Sequence, residues 1–359
     1  MYMSEILNLA QNLDGYLCGK WKIIGKVPHK ASTGGCFSVG YDVIDNLGNA
    51  GFLKALDFSS AFSSPSPIDS LKSMTEAYTY ERDLLNKCSG KNFRYVVRIV
   101  DHGVFHLEPA DYPTDKIVPY PDVYYIVLEK AEESARNLID WSKAFDYAWA
   151  LRSLHNVSVA IEEMHGIQIA HQDIKPSNVL LFNSKKLSKI TDFGRSSEFE
   201  KTAQHDSFDC AGDLAYSPFE QLYGDIHSDW KIRRYSCDMF MFGNLIMTYF
   251  NNISITSTVL NCLPDNMLPG KWGDTYHSIL PHIELAFAKC LELFNDKIDL
   301  ELRNELVEMV KQLCHPDISK RGDLKNSHMG NQQYSLRRYT TKLDFLARKW
   351  EYSYKKVVL

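Results

Sequence analysis

A chain of 359 residues that is 45% hydrophobic and 24% charged has enough apolar material to bury a full core, which excludes a disordered or fibrous protein. Its net charge of −5 gives no general basis for binding nucleic acid. Eight cysteines, at 18, 36, 88, 210, 237, 262, 290 and 314, show no paired spacing, so neither a disulfide framework nor a zinc knuckle is indicated and a reducing, cytoplasmic setting is expected. The start, Met1-Tyr-Met-Ser-Glu-Ile-Leu, lacks a basic stretch followed by a long apolar run, and the apolar run after Asp238 is too short to span a bilayer, so no leader and no membrane partner are expected.

Residues 1–19 read as an N-terminal extension. From 20 to 128 short β-rich runs alternate with one helix, and from 129 to 325 helical periodicity dominates. The pattern predicts an α+β, bilobal arrangement, a small β-rich lobe followed by a large α-rich one, joined near Leu128-Glu-Lys-Ala131. In the first part, Gly51-Phe-Leu-Lys54-Ala-Leu reads as a strand with an inward lysine, which is costly to bury without an anionic partner. Two glutamates on the next helix are available, Glu76 and Glu81. Ala77, Glu81, Leu84, Leu85 and Cys88 fall at i, i+4, i+7, i+8 and i+11, which places Glu81 on the apolar stripe and Glu76 off it. Glu81 is therefore the expected partner of Lys54. The segment Ser59-Ser-Ala-Phe-Ser-Ser-Pro-Ser-Pro67 reads as a loop, and residues 106–123, with four prolines, read as an enlarged connection between strands.

The second part carries the chemistry. His171-Gln-Asp-Ile-Lys-Pro-Ser-Asn178 is followed, fourteen residues after its asparagine, by Asp192-Phe-Gly194. This order supplies a proton acceptor (Asp173), a phosphate-neutralising lysine (Lys175) and two hard-oxygen metal ligands (Asn178 and Asp192), as phosphoryl transfer from a nucleotide requires.

On these motifs the chain resembles the eukaryotic-type Ser/Thr protein kinase family over about residues 20–325. The resemblance implies ATP with Mg²⁺ or Mn²⁺ as cofactors and a protein hydroxyl as acceptor. Lys175 favours serine or threonine, because tyrosine-specific relatives typically lack it. It also implies that Lys54 and Glu81 hold the nucleotide phosphates, that Glu129 and Ala131 offer backbone hydrogen bonds to adenine with Leu128 behind them, and that Leu180 forms the pocket floor. His171, Phe193 and Gly194 are then structural, as are Glu220, its expected partner Arg321, and Asp238. Asp238 is expected to be the N-terminal acid of the buried helix that follows it and to steady the catalytic loop by accepting backbone N–H groups. Small-molecule kinases such as the aminoglycoside phosphotransferases share the His-x-Asp loop but generally lack this last set.

Several positions depart from the family pattern. The phosphate loop, Thr33-Gly-Gly35-Cys-Phe37-Ser38-Val-Gly40, keeps one glycine of three, with Gly35 and Ser38 expected near the phosphates. Gly40 and Phe52 stand where the family has valine and alanine above the adenine, a swap that conserves volume if the Phe52 ring fills the space over Gly40. Gln172 replaces the arginine that ordinarily pairs with a phosphate on the activation segment, so control by loop phosphorylation is not expected. Ser196, Ser197, Thr202 and Ser207 are the candidate acceptors on that segment, and another cation, such as Arg195 or Lys201, could substitute for the arginine. Asp213 after Gly212, and Pro218-Phe219 before Glu220, are also unusual. In the extension 326–359, Tyr339, Leu343, Leu346, Trp350 and Tyr354 recur at helical spacing among basic residues, which predicts a helix docked on the large lobe; the alternative is a docking arm for an acidic partner or nucleic acid. Two other functions are compatible with the residues: a nucleotide-binding pseudokinase scaffold, and a kinase-fold enzyme acting on a small molecule.

Overall fold

A computed structural model describes residues 5–28, 38–139, 145–325 and 332–358. The chain divides into two compact units, the first spanning 1–92 and 97–131 and the second 93–96 and 132–359. The first is built on a β-sheet and the second is mainly helical, the α+β, bilobal class.

The sheet of the first unit has six strands: β1 (Leu17–Cys18), β2 (Trp21–Lys26), β3 (Ser38–Ile44), β4 (Ala50–Leu56), β5 (Ile99–His106) and β6 (Asp122–Glu129). They run antiparallel in the order β1-β2-β3-β4-β6-β5. Burial alternates along β3 because one face of the sheet covers the core, where Trp21, Tyr41, Leu53 and Val127 are buried. From residues 7–18, Leu7, Leu9, Ala10, Leu13 and Cys18 fill the same core. Tyr41 fixes them, its hydroxyl donating to Ala10 O at 2.8 Å and accepting from Leu13 N at 3.3 Å.

Helix α1 (Pro67–Gly90) opens with proline at its first position, where the missing N–H has no helical partner to lose. Met74, Tyr80, Leu84, Leu85 and Cys88 are its buried residues. Ala77 is exposed, contrary to the predicted stripe. The unit ends past β6 at Ala131; Glu132 N already donates to Leu181 O of the second unit at 2.9 Å.

In the second unit, α2 (Tyr147–Gly166) is capped by Asp146, which accepts from Trp149 N at 2.9 Å. A hairpin, β7 (Val179–Phe182) with β8 (Leu187–Ile190), follows the loop from His171 to Asn178. Helix α3 (Trp230–Asn251) is buried almost without interruption from Ser236 to Phe250, so it is the central element of this unit. Helices α4 (Tyr276–Lys297) and α5 (Leu300–Leu313) complete this layer.

Helix α6 (Arg337–Val358) docks on α2 and belongs to the second unit. It buries Tyr339, Leu343, Leu346 and Ala347, and Arg152 of α2 bridges Asp344 and Glu351, each at 2.7 Å. Two of its cations pair within the chain, Arg338 with Asp323 at 3.2 Å and Lys349 with Glu301 at 2.9 Å. Among the described residues no helix is long and apolar enough to cross a membrane.

Candidate active site

The loop from His171 to Asn178 hangs from α3. Buried Asp238 accepts the backbone N–H of His171 (2.8 Å) and of Gln172 (2.6 Å), and His165 Nε2 lies 2.8 Å from the same carboxylate. Asp238 therefore holds the loop, but not as a helix cap. The helix begins at Trp230 and Asp229 caps it, accepting from Ile232 N at 2.9 Å, so Asp238 lies two turns inside. The His171 ring packs edge-on to buried Phe193, centroids 5.5 Å apart, with Nε2 3.0 Å from Thr191 O. This ties the loop to the Asp192-Phe-Gly segment.

Asp173 is buried, and its two carboxylate oxygens are held by three donors. Oδ1 accepts from Asp213 N at 2.9 Å; Oδ2 accepts from Asn178 Nδ2 at 2.9 Å and lies 3.0 Å from Lys175 Nζ. Asn178 Nδ2 also donates to Asp173 O at 2.8 Å, which leaves its hard amide oxygen without a donor among the described residues. Lys175 reaches Asp213 Oδ2 at 3.3 Å as well. Burial alone would lower the Lys175 ammonium, but the carboxylates of Asp173 and Asp213 outweigh it and raise its pKa. Asp192 holds a left-handed backbone, φ +68°, a strained conformation for a non-glycine residue. Gly212 is required by close approach: a β-carbon there would lie 2.1 Å from Gln172 O.

Within the first unit Lys54 Nζ meets Glu81 Oε1 at 2.7 Å, with side chains 18% and 15% exposed. Glu76 instead lies on an exposed face near Lys72, 3.9 Å away. Gly40 pairs with Lys54 across the sheet, and Phe52 follows on the same face of β4. Ser38 begins β3 opposite Leu56; Gly35 and the rest of Thr33–Phe37 lie outside the described residues. Glu129 N already donates to Arg98 O at 3.1 Å, which removes that N–H from the expected contacts. Ala131 is half-buried at the end of this unit, Leu128 is buried in β6, and Leu180 is half-buried in β7 of the second unit.

Further along, Arg321 grips Glu220 with two parallel bonds of 2.7 Å each, and its guanidinium lies 5.0 Å from the Phe240 ring centre. Arg321 is completely buried. Burial opposes its charge, but Glu220 overcomes this and raises its pKa. On the activation segment Ser196 and Ser197 are buried, so the structure gives neither the accessibility expected of an acceptor, whereas Thr202 and Ser207 are exposed. Two residues missed in the sequence, Arg234 and Asp206, pair beside Gln172 at 2.8 Å. Arg234 lies four residues before Asp238 and so on the same face of α3, the signal that would have found it.

Residues 66–329, well over half of the chain, match the family described as the protein kinase domain. The chain belongs to that family. Its similarity to individual proteins is lower and more local. It is 35% identical over 83 residues to the SNF-related serine/threonine-protein kinase of Rattus norvegicus, covering 23% of this chain and 11% of that protein. Over 152 residues it is 26% identical to a probable serine/threonine-protein kinase of Clostridium perfringens, covering 42% and 22%. Over 128 residues it is 31% identical to the serine/threonine-protein kinase SBK1 of Danio rerio, covering 35% and 32%. The matches span about a tenth to a third of the length of these relatives.

Proposed function

We propose that this protein kinase domain transfers the γ-phosphate of ATP to serine or threonine hydroxyls of protein substrates in a cytoplasmic setting. The observation that carries the reading is the Asp173 carboxylate, fixed by Asp213 N, Asn178 and Lys175. A general base so held has few orientations to lose as it meets a hydroxyl.

The donor set suits a magnesium nucleotide. Asn178 turns its nitrogen to Asp173 and keeps an oxygen for a hard cation, and Asp192 supplies a carboxylate. Mg²⁺, or Mn²⁺, would neutralise charge on the β- and γ-phosphates when bound. Lys54, oriented by Glu81, would hold the phosphates, with Phe52 above the adenine and the backbone of Glu129 and Ala131 beside it. Asp173 orients the acceptor hydroxyl and takes its proton as the new P–O bond forms and ADP leaves. Lys175, its positive charge favoured by two carboxylates, balances charge on the transferred group. The lysine at this position and the printed names of the similar proteins support serine and threonine as acceptors.

The experiment is incubation of the purified chain with γ-labelled ATP, Mg²⁺ and a protein mixture. Label on serine and threonine supports the reading. Label on a small molecule only, or nucleotide binding without transfer, would replace it.

A further inference from the structure

We infer that Arg234 and Asp206 form a built-in latch that holds the activation segment in place without a phosphate, with Gln172 as its link to the catalytic loop. The inference rests on the phosphotransfer reading and adds two positioning residues to it.

The latch is a closed circuit of side chains. Gln172 precedes Asp173, is buried, and has a left-handed backbone with φ +60°, its N–H held by Asp238. Its amide nitrogen donates to Arg195 O at 3.0 Å and to Ser197 Oγ at 2.6 Å. Its amide oxygen accepts from Arg234 Nη1. Arg234 Nη2 continues to Asp206, reaching Oδ1 at 2.8 Å and the backbone oxygen at 3.2 Å. Asp206 Oδ1 accepts from the Ser197 hydroxyl, which closes the circuit, while Oδ2 accepts from Ala203 N at 2.7 Å. The segment is fastened at two further places. Ala170 and Ser197 pair as short antiparallel strands, and His205 Nε2 lies 2.9 Å from Ser196 O.

Charge explains why this arrangement holds. Arg234 is buried, with a side chain 3% exposed, and burial pushes its pKa down in spite of the carboxylate beside it. A guanidinium so placed needs a fixed anion, and removing one partner of a buried pair is strongly destabilising. A phosphorylated segment would supply that anion by modification. Here the chain encodes it as Asp206, and the cation enters from α3 rather than from the residue before Asp173. Neither Arg195 nor Lys201 takes that place: Arg195 and Lys201 are exposed. The neutral Gln172 fits between because it both accepts from Arg234 and donates to Ser197, which an arginine at 172 cannot do. The consequence reaches the catalytic carboxylate, since the backbone of Gln172 abuts Gly212 and Asp213 N donates to Asp173.

The test compares phosphatase-treated wild-type protein with Arg234→Gln and Asp206→Asn, using hydrogen exchange of residues 195–210 and initial rates on an added protein substrate. Each variant is expected to speed exchange there at least about tenfold and to lower kcat at least about tenfold, with KM for ATP within about twofold of wild type, the mark of a lost positioning contact. Gln172→Arg is expected to do the same by bringing a second cation against Arg234, and combining it with Arg234→Gln is expected to restore protection. Wild-type exchange and kcat in both single variants, or loss of protection in the wild type on phosphatase treatment, would overturn the latch. If the wild-type chain transfers no phosphate, the exchange measurement still decides the latch, and only the phosphotransfer reading falls.

Discussion

The ring of Phe52 occupies the space into which a side chain at Gly40 would project. A β-carbon built on Gly40 would lie 2.7 Å from Phe52 Cζ and 2.9 Å from Cε2. Lys130 sits 5.7 Å from the centre of the same ring, so the phenyl group is bracketed on its own sheet. The two substitutions that look disruptive singly are thus one exchange of volume. Gly40→Val is expected to overpack this layer and to weaken ATP binding by about 1–3 kcal/mol, and Phe52→Ala in the same chain should recover most of the loss. Nucleotide titration by calorimetry checks this; unchanged affinity in Gly40→Val would contradict it.

Arg321 and Glu220 make a prediction about stability. Glu220→Gln leaves a completely buried guanidinium without its counter-charge, at an expected cost of about 3–5 kcal/mol. Differential scanning calorimetry should show a clear fall in Tm. A variant as stable as wild type would mean that the carbonyls of His315 and Pro316, which also accept from Arg321, suffice.

The second unit should lose stability in mild acid. Burial lowers the pKa of His155, His205 and His315 below the ordinary 6.5. Between the folded and unfolded values the unfolded chain binds more protons, so stability rises with pH there. The contribution is present above 6.5 and is lost as the pH falls through the folded values. Tm is expected to drop as the pH is lowered from about 7.5 to about 5.5, and His155→Gln should shallow the slope. A Tm that holds or rises over this interval would contradict the account.

Asn178 carries a prediction about the metal. Asn178→Ala removes the oxygen that its own hydrogen bonds to Asp173 set aside. The Mg²⁺ concentration giving half-maximal rate should rise about tenfold or more, the scale reached by losing even outer partners of a metal site. A Mg²⁺ titration with an unshifted midpoint would remove Asn178 from the ligand set.

Much of this was legible in the sequence, and the exceptions have physical causes. Helical spacing separates Glu81 from Glu76 even though Ala77 is exposed, because Leu84, Leu85 and Cys88 fix the helical phase. The amphipathic tail helix was legible for the same reason. The apolar run that begins after Asp238 reads as a helix start, whereas the helix opens two turns earlier, where Lys231, Arg233 and Arg234 interrupt the apolar pattern. Arg234 lies among those charged residues and so reads as solvated. Leu7, Leu9 and Leu13 escaped notice because they are buried by the sheet face of a distant segment, which leaves no local period.

Asp173→Asn tests most directly whether Asp173 is the base of a phosphotransfer site. The substitution keeps the shape of the side chain and removes the proton-accepting charge. Rates of γ-phosphate transfer to protein, measured beside ATP affinity and Tm, are expected to fall about 10²-fold or more while the other two stay at wild-type values. Retention of more than about a tenth of the wild-type rate in that variant would contradict the assignment.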